Sequence, residues 1–167
     1  MVVIIWGVAG VGKTTIGELL AQELGWKFYD ADDFHSAANI DKMQRGIPLT
    51  DEDRQPWLET LRKVIEQSLA ENDNAVLACS ALKQKYRDRL RVSEQVKFVF
   101  LRGSRDRIAE QLKRRRGHFV DPKLLDSQFA DLEEPKPSEY AVTVELGDDP
   151  PELVQKIKMS LRERSRG

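Results

Sequence analysis

The chain has 167 residues, of which 40% are hydrophobic and 33% charged, and its formal net charge is −1. That length points to a single domain spanning 1–167, able to bury a core without disulfide or metal staples. The charge balance excludes a general nucleic-acid binder, which needs a basic excess or stripe. A single cysteine, Cys79, rules out an intrachain disulfide, and its apolar neighbours mark it as a reduced core residue. The apolar opening from Val2 to Trp6 is too short for a signal-peptide core or a membrane span, so a cytoplasmic protein is expected.

In chain order, Val2–Trp6 reads as a first strand and Lys13–Leu24 as a helix with Ile16, Leu19, Leu20 and Leu24 on one face. Gly25 supplies its stop. Lys27–Tyr29 is a short second strand. Trp57 to Leu69 is an amphipathic helix, with Pro56 suited to its first turn. Ala75–Cys79 is a third strand, Gln84–Arg91 a short helix and Val96–Leu101 a fourth strand. Arg105–Arg114 is helical, and Asp121 is placed to cap a helix that begins at Pro122. Val142–Leu146 forms a fifth strand, Gly147 to Pro151 a turn, and Glu152–Arg162 a closing helix. Short apolar strands alternating with helices predict an α/β fold whose parallel sheet is covered on both faces.

Gly7-Val8-Ala9-Gly10-Val11-Gly12-Lys13-Thr14 matches the P-loop pattern G-x-x-x-x-G-K-[ST] in full, with a strand before it and a helix after it. Glycines let the backbone wrap an anion, and the helix presents its N-terminus to the phosphates. Lys13 is expected to reach the β- and γ-phosphates of ATP, and the Thr14 hydroxyl to ligate Mg²⁺. The chain lacks the D-x-x-G and N-K-x-D of a GTPase, and no strand ends in the Asp-Glu of a motor. A small-molecule or nucleoside-type kinase remains.

The second strand runs into Asp30-Ala31-Asp32-Asp33. Ligands of open α/β sheets sit at the carboxyl ends of strands, so Asp30 and Asp32 belong beside the γ-phosphate. One carboxylate can hold a water of the Mg²⁺ shell, and the other can orient or deprotonate an acceptor hydroxyl. Asp33 suits a helix start. Asp51, Glu52 and Asp53 suit a helix N-terminus, whereas Arg54 can clamp a carboxylate. The basic run Lys113-Arg114-Arg115-Arg116 before Gly117 is either a solvated helix end or a lid of about residues 114–121 that brings an arginine to the transferring phosphoryl.

Beyond these patterns, the chain resembles the gluconate kinase family of small thermoresistant-type gluconokinases from about Val2 to Pro135. The resemblance rests on several blocks: the P-loop; Phe28 to Asp32 with Phe34-His35; Asn39 to Met43; Gly46 to Leu49; Asp51 to Arg54 with Pro56 to Leu58; Cys79-Ser80-Ala81-Leu82-Lys83 with Tyr86 to Asp88; Gly117-His118-Phe119; and Gln128-Phe129 with Leu132 to Pro135. Shikimate kinases look similar in the P-loop and the D-x-D but carry a glycine triplet after strand three. The resemblance implies a nucleoside-monophosphate-kinase-like P-loop fold, a three-layer α/β/α with a five-stranded parallel sheet in order 2-3-1-4-5. It also implies Mg-ATP-dependent phosphorylation of D-gluconate, and it suggests a homodimer.

Carried over residue by residue, the resemblance makes Gly7, Val8, Ala9, Gly10, Val11, Gly12, Lys13, Thr14 and Thr15 the phosphate-binding set. Asp30 lies near Mg²⁺ and Asp32 at the acceptor hydroxyl. His35, Lys42 and Arg54 hold gluconate, and Ser80 and Lys83 face both ligands. Arg115 matches the lid arginine, which makes Lys13, Asp32 and Arg115 the catalytic set. Two other readings share these residues: a shikimate-type or other small-molecule kinase on the same fold, and a nucleotide-binding regulatory domain without turnover.

Overall fold

The computed structural model describes residues 1–114, 122–147 and 149–165. The strands are β1 (Val2–Trp6), β2 (Lys27–Asp30), β3 (Ala75–Cys79), β4 (Val96–Arg102) and β5 (Val142–Glu145). They form one sheet in the order β2-β3-β1-β4-β5, and every pairing is parallel. The helices are α1 (Lys13–Leu24), α2 (Ala37–Gln44), α3 (Asp51–Ala70), α4 (Gln84–Leu90), α5 (Arg105–Arg114), α6 (Pro122–Asp131) and α7 (Pro150–Ser165).

Strand β1 explains the layering. Successive strand residues face opposite sides. Val3 and Ile5 enter a core with Ile16 and Leu20 of α1, Ile108 of α5, Leu125 of α6 and Ile157 of α7. Val2, Ile4 and Trp6 enter a second core with Trp57, Leu61 and Ile65 of α3 and Leu90 of α4. All five residues of β1 are buried, as a central parallel strand with helices on both faces requires. The fold is therefore the three-layer α/β/α arrangement that the sequence implied, with its strand order.

Several elements differ from the sequence reading. Helix α3 begins at Asp51, six residues before Trp57, so Pro56 lies inside it. A capping box at Thr50 and Asp53 starts the helix upstream, and Pro56 inside it gives up one main-chain bond and crowds the turn before it. Helix α7 starts at Pro150, inside the expected turn, because proline in a first turn needs no N–H partner. Helix α2 has no sequence forecast; it is eight residues long, with Ser36 accepting from the Asn39 N–H at 3.1 Å, and too short to show an apolar stripe. Strand β2 extends to Asp30, which places that carboxylate at the strand's C-terminal end.

Candidate active site

The carboxyl ends of β1, β2 and β3 open into a cleft of about 720 Å³. The loop between β1 and α1 forms one wall. Gly12 has φ 102, a left-handed conformation that lets the chain turn into α1. Gly10 has φ 81, and a Cβ there would lie 2.7 Å from the Leu112 side chain of α5, so only glycine admits this approach. Lys13 Nζ donates to the Gly7 and Val8 carbonyls, each at 2.9 Å, which curls the side chain across the loop. The Ala9 N–H donates to Gln128 Oε1 of α6 at 2.5 Å, a link across 119 residues.

The D-x-D segment faces this loop. Asp30 caps the 3₁₀ turn Ala31–Phe34 by accepting from the Asp32 N–H at 3.0 Å. Its other oxygen accepts from Thr14 Oγ1 at 3.2 Å. Hydroxyl and carboxylate thus meet where α1 begins. Burial lowers the Lys13 pKa, and the Asp32, Cys79 and Asp30 charges oppose that shift. Burial raises the Asp32 carboxyl; Lys13 opposes that rise, and Asp30 and Asp33 add to it. Among charged groups, Lys13 and Asp32 each supply the largest opposition to the other's burial shift, so the pair is electrostatically coupled. Thr15 is exposed on α1.

Strand β3 delivers Cys79 and Ser80 to the cleft. Ala81 follows at φ 37, a strained left-handed conformation for a non-glycine residue. The fully buried Arg87 holds this corner by donating to the Ala81 and Leu82 carbonyls at 3.0 Å, and it is paired in turn with Glu139 at 2.7 Å. The Cys-Ser-Ala-Leu-Lys block is thus a tight corner, and its cysteine is packing: Cys79 is buried and free, with its thiol pushed up to about 12 by burial.

The far wall is cationic. Arg54 projects from α3 into the cleft with its side chain 13% exposed. Nη1 donates to the Tyr86 hydroxyl at 2.9 Å, and Nη2 lies 3.6 Å from Asp131 of α6. The Tyr86 hydroxyl donates in turn to Asp51, which also takes Lys83 and Lys85. His35 stacks on Trp57 at 4.3 Å, and burial with the Arg54 charge lowers its pKa to about 4. Its ring is therefore neutral near pH 7.

Two sequence candidates stand behind this wall. Lys42 is bound to both oxygens of Asp53 at 3.0 Å, and Lys83 to Asp51 at 3.1 Å. Neither lines the cleft, whereas His35, Arg54 and Ser80 do. Sequence reasoning missed Arg45, at the end of α2, and Gln128, which both line it. The only available signal for Arg45 was its place beside Gly46, where the chain turns back. The lid arginine Arg115, and Gly117 to Phe119, lie outside the described residues.

An anion-wrapping loop on a helix N-terminus, joined in one cleft to a carboxylate pair and a cationic wall, defines a P-loop phosphotransferase. The Shikimate kinase family pattern matches residues 9–162. The probable gluconokinase of Mus musculus is 42% identical, with 96% of this chain and 97% of the relative covered. The thermosensitive gluconokinase of Escherichia coli is also 42% identical, covering 95% and 86%. A gluconokinase structure from Sinorhizobium meliloti superposes with TM-score 0.89 at 38% identity, covering 98% and 93%. A shikimate kinase from Aquifex aeolicus, at 19% identity and TM-score 0.63, shares the fold over 100% of this chain and 99% of that one. The chain belongs to the gluconokinase family, a branch of the shikimate-kinase-like P-loop kinases.

Proposed function

We propose that this protein transfers the γ-phosphoryl group of ATP to the terminal hydroxyl of D-gluconate, giving ADP and 6-phospho-D-gluconate. The observation that carries this reading is the single cleft, with the phosphate loop at one end and Arg54, Arg45 and neutral His35 at the other. Its volume of about 720 Å³ lies within the roughly 300–1,000 Å³ of small-molecule sites. An arginine fork suits a carboxylate, and neutral histidine and serine suit hydroxyls.

Asp32 is the acceptor-hydroxyl partner in this reading. Its raised pKa brings the carboxylate closer to the basicity that proton abstraction needs. As the acceptor oxygen bonds to phosphorus and the bond to the ADP oxygen breaks, the hydroxyl proton passes to Asp32. Lys13 leaves the Gly7 and Val8 carbonyls to meet the phosphate oxygens, whose charge offsets the burial that disfavours its ammonium form.

Thr14 and Asp30 are the residues that would hold Mg²⁺. Their paired hard oxygens fit an ion that keeps most of its ligands as water and phosphate. When bound, the ion neutralises charge on the β- and γ-phosphates. The lid arginine is assigned to Arg115, within a lid of about 114–121 in a single kinase domain spanning 1–167. A homodimer and a cytoplasmic location complete the reading. Among the described residues no helix is long and apolar enough to cross a membrane.

Incubation with Mg-ATP and D-gluconate, followed by phosphorus NMR of the product, tests the reaction. A phosphomonoester at the terminal carbon is expected in equal amount to ADP. ADP without a phosphorylated sugar acid would favour a nucleotide-binding domain that does not transfer.

A further inference from the structure

Helix α6 touches both ends of the cleft. Leu124 and Gln128, four residues apart, share its cleft face. Leu125 is buried and Phe129 packs against the same core, so the rotation of the helix is set by packing. An ion pair between Asp126 and Arg105 joins α6 to α5. At the end of α6, Asp131 faces Arg54, the proposed acceptor anchor. One turn earlier, Gln128 Oε1 accepts from Ala9 in the phosphate loop.

The Ala9 contact fixes the orientation of the Gln128 amide. A main-chain N–H is a donor and nothing else, so the oxygen must face Ala9. An amide whose oxygen is engaged this way offers donors from its other end, and Gln128 lines the cleft between loop and anchor. A neutral double donor there suits a group that gains negative charge during transfer. It would add no repulsion toward ATP or a carboxylate-bearing acceptor.

We propose that Gln128 is a further catalytic residue, pinned through Oε1 by the Ala9 N–H so that Nε2 donates to the oxygens of the transferring phosphoryl group. This rests on the kinase reading above. It adds a neutral contact to the charges of Lys13 and the assigned lid arginine.

Two substitutions separate pinning from donation. Gln128→Glu keeps an oxygen for Ala9 but replaces the donors with an acceptor. Gln128→Met removes both and adds no charge. Both are expected to lower kcat at saturating substrates by about 100-fold or more, the size seen for lost oxyanion-type donors. Mg-ADP affinity of the Met variant, read by calorimetry, is expected within about threefold of wild type, since ADP lacks the transferred group. A kcat for Gln128→Glu within about threefold of wild type would overturn the proposal, because pinning alone would then suffice. Loss of Mg-ADP binding in the Met variant would also overturn it, by making Gln128 a loop-shaping residue. The acceptor reading is scored on the wild-type enzyme alone, and Gln128 by variant-to-wild-type ratios on the preferred acceptor.

Discussion

At the phosphate end of the cleft, anion binding comes from main-chain groups: a loop of glycines, the start of α1, and one lysine folded onto the loop's own carbonyls. At the acceptor end it comes from side chains on separate elements: Arg54 on α3, held by Tyr86 of α4 and Asp131 of α6, with Arg45 following α2. The first construction is local, because eight consecutive residues contain it. The second is assembled, because Arg54 is aimed by partners on two other helices. A backbone site recognises what all nucleoside triphosphates share. An assembled site can be retuned one side chain at a time, and this is where kinases of one fold diverge in acceptor.

The largest effects are expected at Lys13 and Asp32. Lys13→Ala removes the charge at the transferring group and is expected to lower kcat/KM by about 100-fold or more. Asp32→Ala is expected to cost a similar factor through loss of the acceptor-hydroxyl partner. Steady-state assays of the purified variants check both, and near wild-type turnover in either would remove its assigned role.

Arg54→Ala is expected to raise KM for gluconate by about 30-fold or more while leaving KM for ATP within about threefold, since a charged hydrogen-bond pair contributes roughly 1.5–3 kcal/mol. A change confined to ATP would contradict the division of the cleft. Tyr86→Phe sharpens the same point. It keeps the ring under Arg54 and removes only the hydroxyl that aims the guanidinium and bonds Asp51. A rise of about fivefold to tenfold in gluconate KM is expected, at an unchanged kcat, because loosening the aim of the guanidinium costs about as much as one ordinary hydrogen bond, roughly 0.5–1.5 kcal/mol.

The division also explains what the sequence made legible. The P-loop, the D-x-D and all five strands are local patterns, and each emerged within a residue or two of its observed bounds. The acceptor wall did not. The resemblance puts Lys42 at gluconate and Lys83 facing both ligands, but Asp53 and Asp51 take them up behind the cleft. Only the packing of α2, α3 and α4 decides which cation faces inward. The Gln128–Ala9 bond spans 119 residues and leaves no trace in spacing. Pro56 misled for a related reason: its ring suits a first turn, but the Thr50–Asp53 capping box had already begun the helix.

The smallest expected effect concerns pH. The His35 pKa falls from 6.5 to about 4 in the folded protein. As pH falls, the unfolded chain takes up this proton first. The stability contributed by the neutral stacked ring is therefore whole above pH 6.5 and is lost as pH drops toward 4. His35→Gln should flatten the dependence of Tm on pH over that window, as thermal scans at pH 7 and pH 5 would reveal. An unchanged slope would mean that His35 titrates alike in both states.

The central claim is that the acceptor wall selects a sugar acid. It is tested most directly by comparing kcat/KM for D-gluconate, shikimate and a nucleoside monophosphate with Mg-ATP in one coupled ADP assay. Preference for D-gluconate by about 100-fold or more is expected from a site built to pair its carboxylate and hydroxyls. Preference for shikimate or the nucleotide would contradict the account.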